Sequence, residues 1–337
     1  MDLENLMAVA EAMVADYKGL LAADESTGTI TKRFDTINVT STEDSRRDYR
    51  ELLFRTKGIG KYISGVILYD ETIRQTAADG SRLVDLMGNE GIIPGIKVDA
   101  GAKQLAGSDN ETVTEGLDGL RDRIDEYVDL GAKFAKWRAV IKISNELPTG
   151  YAIHTNAHAL ARYAKICQEG GLVPIVEPEV LMDGDHDLKM CQQVTEETLN
   201  SVFGELYAQE VALEGMILKP NMVISGLDAK KRADFDEVAD ETVSTLLRCV
   251  PAAVPGIMFL SGGQSEIDAT MHLNVMNAKN SNLPWKLSYS YGRALQSSAL
   301  KAWLGEAENV ASAQDALMLR ASFNSAACSG QYDYEKV

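Results

Sequence analysis

Short apolar runs recur along the chain, separated by longer stretches whose apolar residues repeat at helical spacing. Eight runs read as strands: residues 20–24 (LLAAD), 66–70 (VILYD), 92–98 (IIPGIKV), 134–138 (FAKWR), 172–177 (LVPIVE), 216–219 (MILK), 257–261 (IMFLS) and 287–291 (LSYSY). The intervening stretches carry helix signals. Thr40 and Glu43 have capping-box spacing before RRDYRELLFR, as do Asp234 and Glu237 further on. Residues 156–169 end at Gly170-Gly171, where a helix terminates, and Ser265 with Asp268 reads as another N-terminal cap. Residues 104–122 are acidic and polar and read as a solvated loop leading into a helix. Eight strand–helix units with no break in the middle predict an α/β chain folded as a single (β/α)8 TIM barrel, one domain over residues 1–337. The competing architecture, a doubly wound open sheet, lacks its GxGxxG fingerprint here.

The strand ends are unusually polar. Asp24, Lys97, Lys136 with Arg138, Glu177 with Glu179, Lys219, Ser261, and Ser290 with Arg293 stand where the runs finish. In a barrel of this kind, chemistry collects at the mouth formed by those ends. Side chains alternate along a strand, so Lys136 and Arg138 share a face, as do Glu177 and Glu179. Lys219 shares a face with Ile217, and Pro220 then interrupts the ladder. One such charge reads best as a structural ion pair; five at successive ends point to a site.

A lysine crowded by other cations in a partly dry pocket is expected to lose its proton more easily. It then serves as an amine nucleophile that condenses with a ketone to an imine, beside a carboxylate that shuttles protons. Lys219 with Glu177, Lys136 and Asp24 supplies that set. Two glycine turns add to it: Ser261-Gly262-Gly263 opens the helix after the seventh run, and Ser290-Tyr291-Gly292-Arg293 the helix after the eighth. Helix N-termini with free N–H groups bind anions, so the pair predicts a phosphate seat.

Composition narrows the field. The chain has 33 Lys plus Arg against 50 Asp plus Glu, a formal net charge of -17, which excludes a general nucleic-acid binder. That sign also disfavours an anionic ligand at the scale of the whole molecule, but not inside a cleft lined by Lys97, Lys136, Arg138, Lys219 and Arg293. Four scattered cysteines without CxxC read as reduced thiols, and no apolar run reaches membrane-spanning length. The N-terminus is acidic and amphipathic, unlike a targeting peptide, so a cytoplasmic chain is expected. His154 and His158 lie one helical turn apart without the HExxH glutamate and read as a solvated face. Residues 183–187 (DGDHD) start like a calcium loop, but Leu188 and Val194 occupy the positions that need Gly and Glu, so they read as a polar turn. No metal and no cofactor are expected.

With these residues in place the sequence resembles class I fructose-bisphosphate aldolase along nearly its whole length. LAADESTGTITKRF, GIKVD, FAKWR, VPIVEPE, LEGMILKPNMV, FLSGGQSE and SYGRALQSSALKAW look like that family's motifs in its order. The resemblance implies reversible cleavage of fructose 1,6-bisphosphate to dihydroxyacetone phosphate and glyceraldehyde 3-phosphate. It implies Lys219 as the Schiff-base lysine, Glu177 as acid/base and Glu179 as its supporting carboxylate. Asp24, Lys136 and Arg138 are implied around the reacting carbons, where Asp24 reads as the base for the C4-hydroxyl proton. Ser261, Gly262, Gly263, Ser290, Gly292 and Arg293 are implied at the ketose phosphate. Ser26, Thr29 (often Ser in the family) and Lys97 fall near the other phosphate, with Lys32 and Arg33 on the adjoining segment. A homotetramer and a cytoskeletal partner are also implied, with other Schiff-base sugar-phosphate aldolases and a non-catalytic scaffold as alternatives. Animal members carry a longer tail ending in a tyrosine that assists proton exchange on the enamine. Here Tyr334 or another group takes that part, unless the tail lies beyond the given residues.

Overall fold

The computed structural model describes residues 2–334. In chain order the strands are β1 (Gly19–Ala23), β2 (Ile63–Leu68), β3 (Ile93–Lys97), β4 (Ala102–Gln104), β5 (Thr112–Thr114), β6 (Phe134–Ile141), β7 (Val173–Val180), β8 (Ile217–Leu218), β9 (Gly256–Phe259) and β10 (Lys286–Tyr291). Eight of them close a parallel barrel in the order β1-β10-β9-β8-β7-β6-β3-β2. Helices separate successive barrel strands and cover the outside, giving the (β/α)8 architecture. β1, β2, β7 and β9 are buried at every position, because barrel strands are covered on both faces and so read as continuous apolar runs.

All eight anticipated runs are barrel strands, with small changes at their ends. β6 and β7 run on to Ile141 and Val180, whereas β8 keeps only two residues. Lys219 N–H still reaches Val176 O at 2.8 Å, and Pro220 has no N–H to continue. Residues 104–122 hold more order than a loop. β4 and β5 pair antiparallel there, and the helix Leu120–Asp129 follows. Tertiary bonds pin this polar hairpin: Thr114 N–H donates to Asn156 Oδ1 at 3.2 Å and Thr114 Oγ1 to Arg138 O at 2.7 Å.

The caps follow the same pattern of near agreement. Asp234 and Glu237 form the expected reciprocal box at the helix Phe235–Cys249, and Ser265 caps the helix Glu266–Lys279. The first box is displaced by two residues. Thr42 is the cap of the helix Glu43–Phe54 and exchanges bonds with Ser45, while Glu43 sits in the first turn. Ser45 wins because its hydroxyl also donates to Thr40 O at 2.8 Å. Asp187 caps the helix Leu188–Ala208 through Met190 N–H, so residues 183–187 are the polar turn anticipated.

Beneath the mouth the barrel is filled. Leu20, Ile67, Phe134, Ile175, Ile217 and Met258 pack in one apolar cluster, closed from below by Leu6, Ala10 and Met13 of the helix Leu3–Met13. The Phe134 ring lies against Gly95 on the adjacent β3 and Gly65 on β2 beyond it, where a Cβ at Gly95 would fall inside the ring's van der Waals surface. Close packing leaves that ring nowhere to go. Gly95→Ala is therefore expected to destabilise the chain by about 3 kcal/mol in a denaturant titration, and a loss under about 0.5 kcal/mol would contradict the packing.

Candidate active site

The mouth of the barrel encloses a cavity of about 820 Å³. At its floor stands a row of alternating charges supplied by four strand ends. Lys219 Nζ lies 3.1 Å from Glu177 Oε1, Lys136 Nζ lies 3.3 Å from Glu177 Oε2, and Lys136 Nζ lies 2.6 Å from Asp24 Oδ2. Parallel register makes this possible: Arg138 pairs with Glu177 and Val140 with Glu179 across β6 and β7, and Lys97 pairs with Lys136 across β3 and β6. Arg138 Nε bonds Glu179 Oε2 on the outer side of the row.

Lys136 is 3% exposed. Burying one unpaired ion costs several kcal/mol, so its two carboxylates are needed to keep it there. Burial by itself works against its charge, yet Asp24 and Glu177 hold Lys136 well above the usual lysine range. Burial likewise opposes ionisation of Asp24, but Lys136, then Lys219 and Lys97, hold its carboxyl well below the usual carboxylate range. The cation crowding expected around Lys219 is met by a shared carboxylate: Lys219 pairs with Glu177 Oε1 and Lys136 with Oε2 of the same side chain.

Two helix starts face the cavity. Ser26 precedes the helix Thr27–Asp35 and Gly292 precedes the helix Arg293–Trp303, and no side chain caps either one. Their first N–H groups are therefore open to an anion. Ser26 Oγ and Thr29 Oγ1 stand 3.1 Å apart at the first start. At the second, Ser290 Oγ is buried without a hydrogen-bond partner, and buried hydroxyls are normally satisfied. Gly262 adopts φ +56°, in the left-handed region, and its carbonyl accepts from Arg293 Nη2. Burial, and then the nearby Arg33, pull the Arg293 guanidinium below its ordinary value. β1 and β10 are adjacent, so the two starts stand side by side.

Every catalytic and substrate-binding residue singled out from the sequence lines this cavity except Gly263 and Tyr334. Gly263 N–H is directed away to Met182 Sδ at 2.7 Å, so that glycine supports the turn from behind. Lys97 is not a free cation, because Asp99 Oδ1 holds its ammonium at 2.6 Å. Eight cations and five carboxylates line the mouth, so it is positive, but only in balance. Asp99, Glu25 and Gln296 were not anticipated. Asp99 follows directly on the third run and was within reach of the strand-end argument. Glu25 and Gln296 acquire their place through contacts with distant helices that no local pattern encodes. Tyr334 is exposed and is not among the residues lining the cavity. The preceding Tyr332 N–H bonds Asn274 on an outer helix. His154 and His158 lie exposed on the helix Gly150–Glu169, as expected. Among the described residues, no group of three or more His, Cys, Asp or Glu side chains is arranged to hold a metal ion.

The ion pairing of Asp24 has a measurable signature. A carboxylate whose folded-state pKa is depressed stabilises the fold fully above its unfolded value near 4 and loses that contribution as pH falls. The advantage of wild type over Asp24→Asn in melting temperature should therefore be largest above about pH 5 and shrink towards roughly pH 2. A difference constant over that range would contradict the pairing.

Comparison with known proteins assigns a family to this fold. The family model for class-I fructose-bisphosphate aldolase matches residues 5–337. The chain is 56% identical over 333 residues to a probable fructose-bisphosphate aldolase class 1 of Xanthomonas campestris, covering 98% of this chain and 99% of that one. It is 55% identical over 328 residues to the cytosolic fructose-bisphosphate aldolase 4 of Arabidopsis thaliana, covering 97% and 84% respectively. A solved structure of the Plasmodium falciparum aldolase, in complex with TRAP and a small-molecule inhibitor, superposes with a TM-score of 0.97 at 51% identity. That match covers 98% of this chain and 95% of the other. With family model, sequence identity and barrel in accord over nearly its full length, the chain belongs to the class-I fructose-bisphosphate aldolase family.

Proposed function

We propose that the chain cleaves fructose 1,6-bisphosphate reversibly to dihydroxyacetone phosphate and glyceraldehyde 3-phosphate through an imine on Lys219. The observation that carries this reading is the buried Lys219 ammonium 3.1 Å from Glu177, next to two uncapped helix starts. To attack, Lys219 must first give up a proton, and Glu177 Oε1 is the acceptor within reach. The neutral amine adds to C2 of the ketose. Glu177 then returns the proton to the departing hydroxyl, so that water leaves and the iminium forms. Asp24 enters ionised and takes the C4-hydroxyl proton as the C3–C4 bond breaks. The electron pair of that bond passes to C3 and into the iminium, giving an enamine and releasing the aldehyde. Protonation at C3 and hydrolysis free the second triose phosphate and restore Lys219.

Lys136 keeps the reacting floor polar without exchanging its own proton, since Asp24 and Glu177 hold it charged. Glu179 fixes Arg138, which faces the cavity. Ser261, Gly262, Ser290, Gly292 and Arg293 are read as the seat of the ketose phosphate. Ser26, Thr29, Lys97 and Arg33 are read as the side that receives the other phosphate. Two anion seats favour a bisphosphate over the single phosphate that other Schiff-base aldolases take. By family likeness the reading extends to a cytoplasmic homotetramer. It also includes an acidic or cytoskeletal partner that competes with the bisphosphate for the same cationic mouth.

Borohydride added with dihydroxyacetone phosphate should reduce the imine and leave a covalent adduct that peptide mapping assigns to Lys219. Lys219→Ala should abolish the adduct and lower kcat by at least about 10⁴-fold, the scale of losing a covalent nucleophile. Normal turnover by that variant, or an adduct on a different lysine, would sink the reading.

A further inference from the structure

Glu25 is a buried carboxylate that this chemistry does not use. It follows Asp24 directly after β1 and is 7% exposed. Its Oε2 pairs at 2.7 Å with Arg50 of the helix Glu43–Phe54, and that guanidinium is itself buried. Its Oε1 takes Nη1 of Arg33 and, at 3.0 Å, Nε2 of Gln296. Gln296 Nε2 also donates to Ala22 O at 2.7 Å, tying the helix Arg293–Trp303 to β1. One carboxylate thus joins three helices beside the mouth.

The charges do not balance within this cluster. Arg50 and Glu25 neutralise one another in the interior, as buried ions must. Arg33 is surplus to that balance, is partly exposed, and lines the cavity. It gives Nη1 to Glu25 and turns Nη2 towards Gly292, standing 3.6 Å from where a Cβ there would lie. Arg33 is therefore held by Glu25 beside the helix start at Gly292.

We propose that Glu25 is a positioning residue for recognition of a second phosphate, holding the Arg33 guanidinium in place at the cavity wall beside Gly292. An arginine loses much rotamer freedom when it grips a ligand. Clamping one arm of the guanidinium beforehand removes part of that cost from binding. The inference rests on the bisphosphate reading above and adds to it the group that orders Arg33.

Steady-state cleavage of fructose 1,6-bisphosphate and fructose 1-phosphate tests it. In E25Q the preference for the bisphosphate should fall about 10-fold, mostly through KM, as expected for a weakened charged hydrogen bond. R33A should show the same fall, and E25Q combined with R33A should show no further one. E25Q leaves Arg50 buried without a counter-charge, so E25Q/R50M, which removes the buried pair together, is measured beside it. R33A keeps the Arg50–Glu25 pair and reads out selectivity even where the Glu25 variants do not fold. Equal losses on both substrates, additive effects, or unchanged selectivity in R33A would overturn the role of Glu25 alone. A wild-type protein that cleaves neither sugar phosphate overturns the substrate reading and this inference with it.

Discussion

The structure turns on one buried ammonium. Lys136 lies in the floor of the barrel mouth with Asp24 at 2.6 Å and Glu177 at 3.3 Å, and it is stable there only while both stay in reach. Asp24 comes from beyond β1, Lys136 from β6 and Glu177 from β7, so the row exists only when the barrel is closed and in register. A shift of one residue in β6 would send Lys136 and Arg138 to the outer face and place Trp137 in the mouth. The apolar cluster below, with Phe134 seated on Gly95 and Gly65, secures that register. Packing at the bottom of the barrel thus sets the electrostatics at the top.

The mouth is positive within a strongly acidic chain, although the row itself, two ammonium groups against two carboxylates, is neutral. A net charge of -17 describes the whole surface, while the mouth carries eight cations to five carboxylates. Field strength inside a cleft follows local placement rather than the total. The inner cations are nonetheless held by acids, as Lys97 is by Asp99 and Lys136 by two partners. Arg293, whose guanidinium reaches only a carbonyl among the described residues, and the two uncapped helix starts stand outside those acid-held pairs.

Strands and strand-end chemistry were legible because both obey local rules. A barrel strand buried on two faces is a continuous apolar run, and a lysine or glutamate at the end of one is conspicuous. The hairpin β4–β5 escaped because its strands are three residues long and polar, and are held by Asn156 and Arg138 rather than by their own pattern. The first capping box was displaced because a second bond to Thr40 O favours Ser45. Gly263 belongs to the expected turn, but its N–H direction depends on where Met182 packs.

The sequence by itself determined the number of barrel units, the residues at each strand end and the family, since each is written in contiguous stretches of chain. Tertiary structure alone decided which charges touch. It set Glu177 between Lys136 and Lys219 and gave Glu25 to Arg33, Arg50 and Gln296 together. It also left Ser290 Oγ without a protein partner. The physical reason is range: periodicity and capping act over a few residues. Ion pairing acts over a few ångströms between groups far apart in the chain, such as Asp16 and Lys286, 270 positions apart.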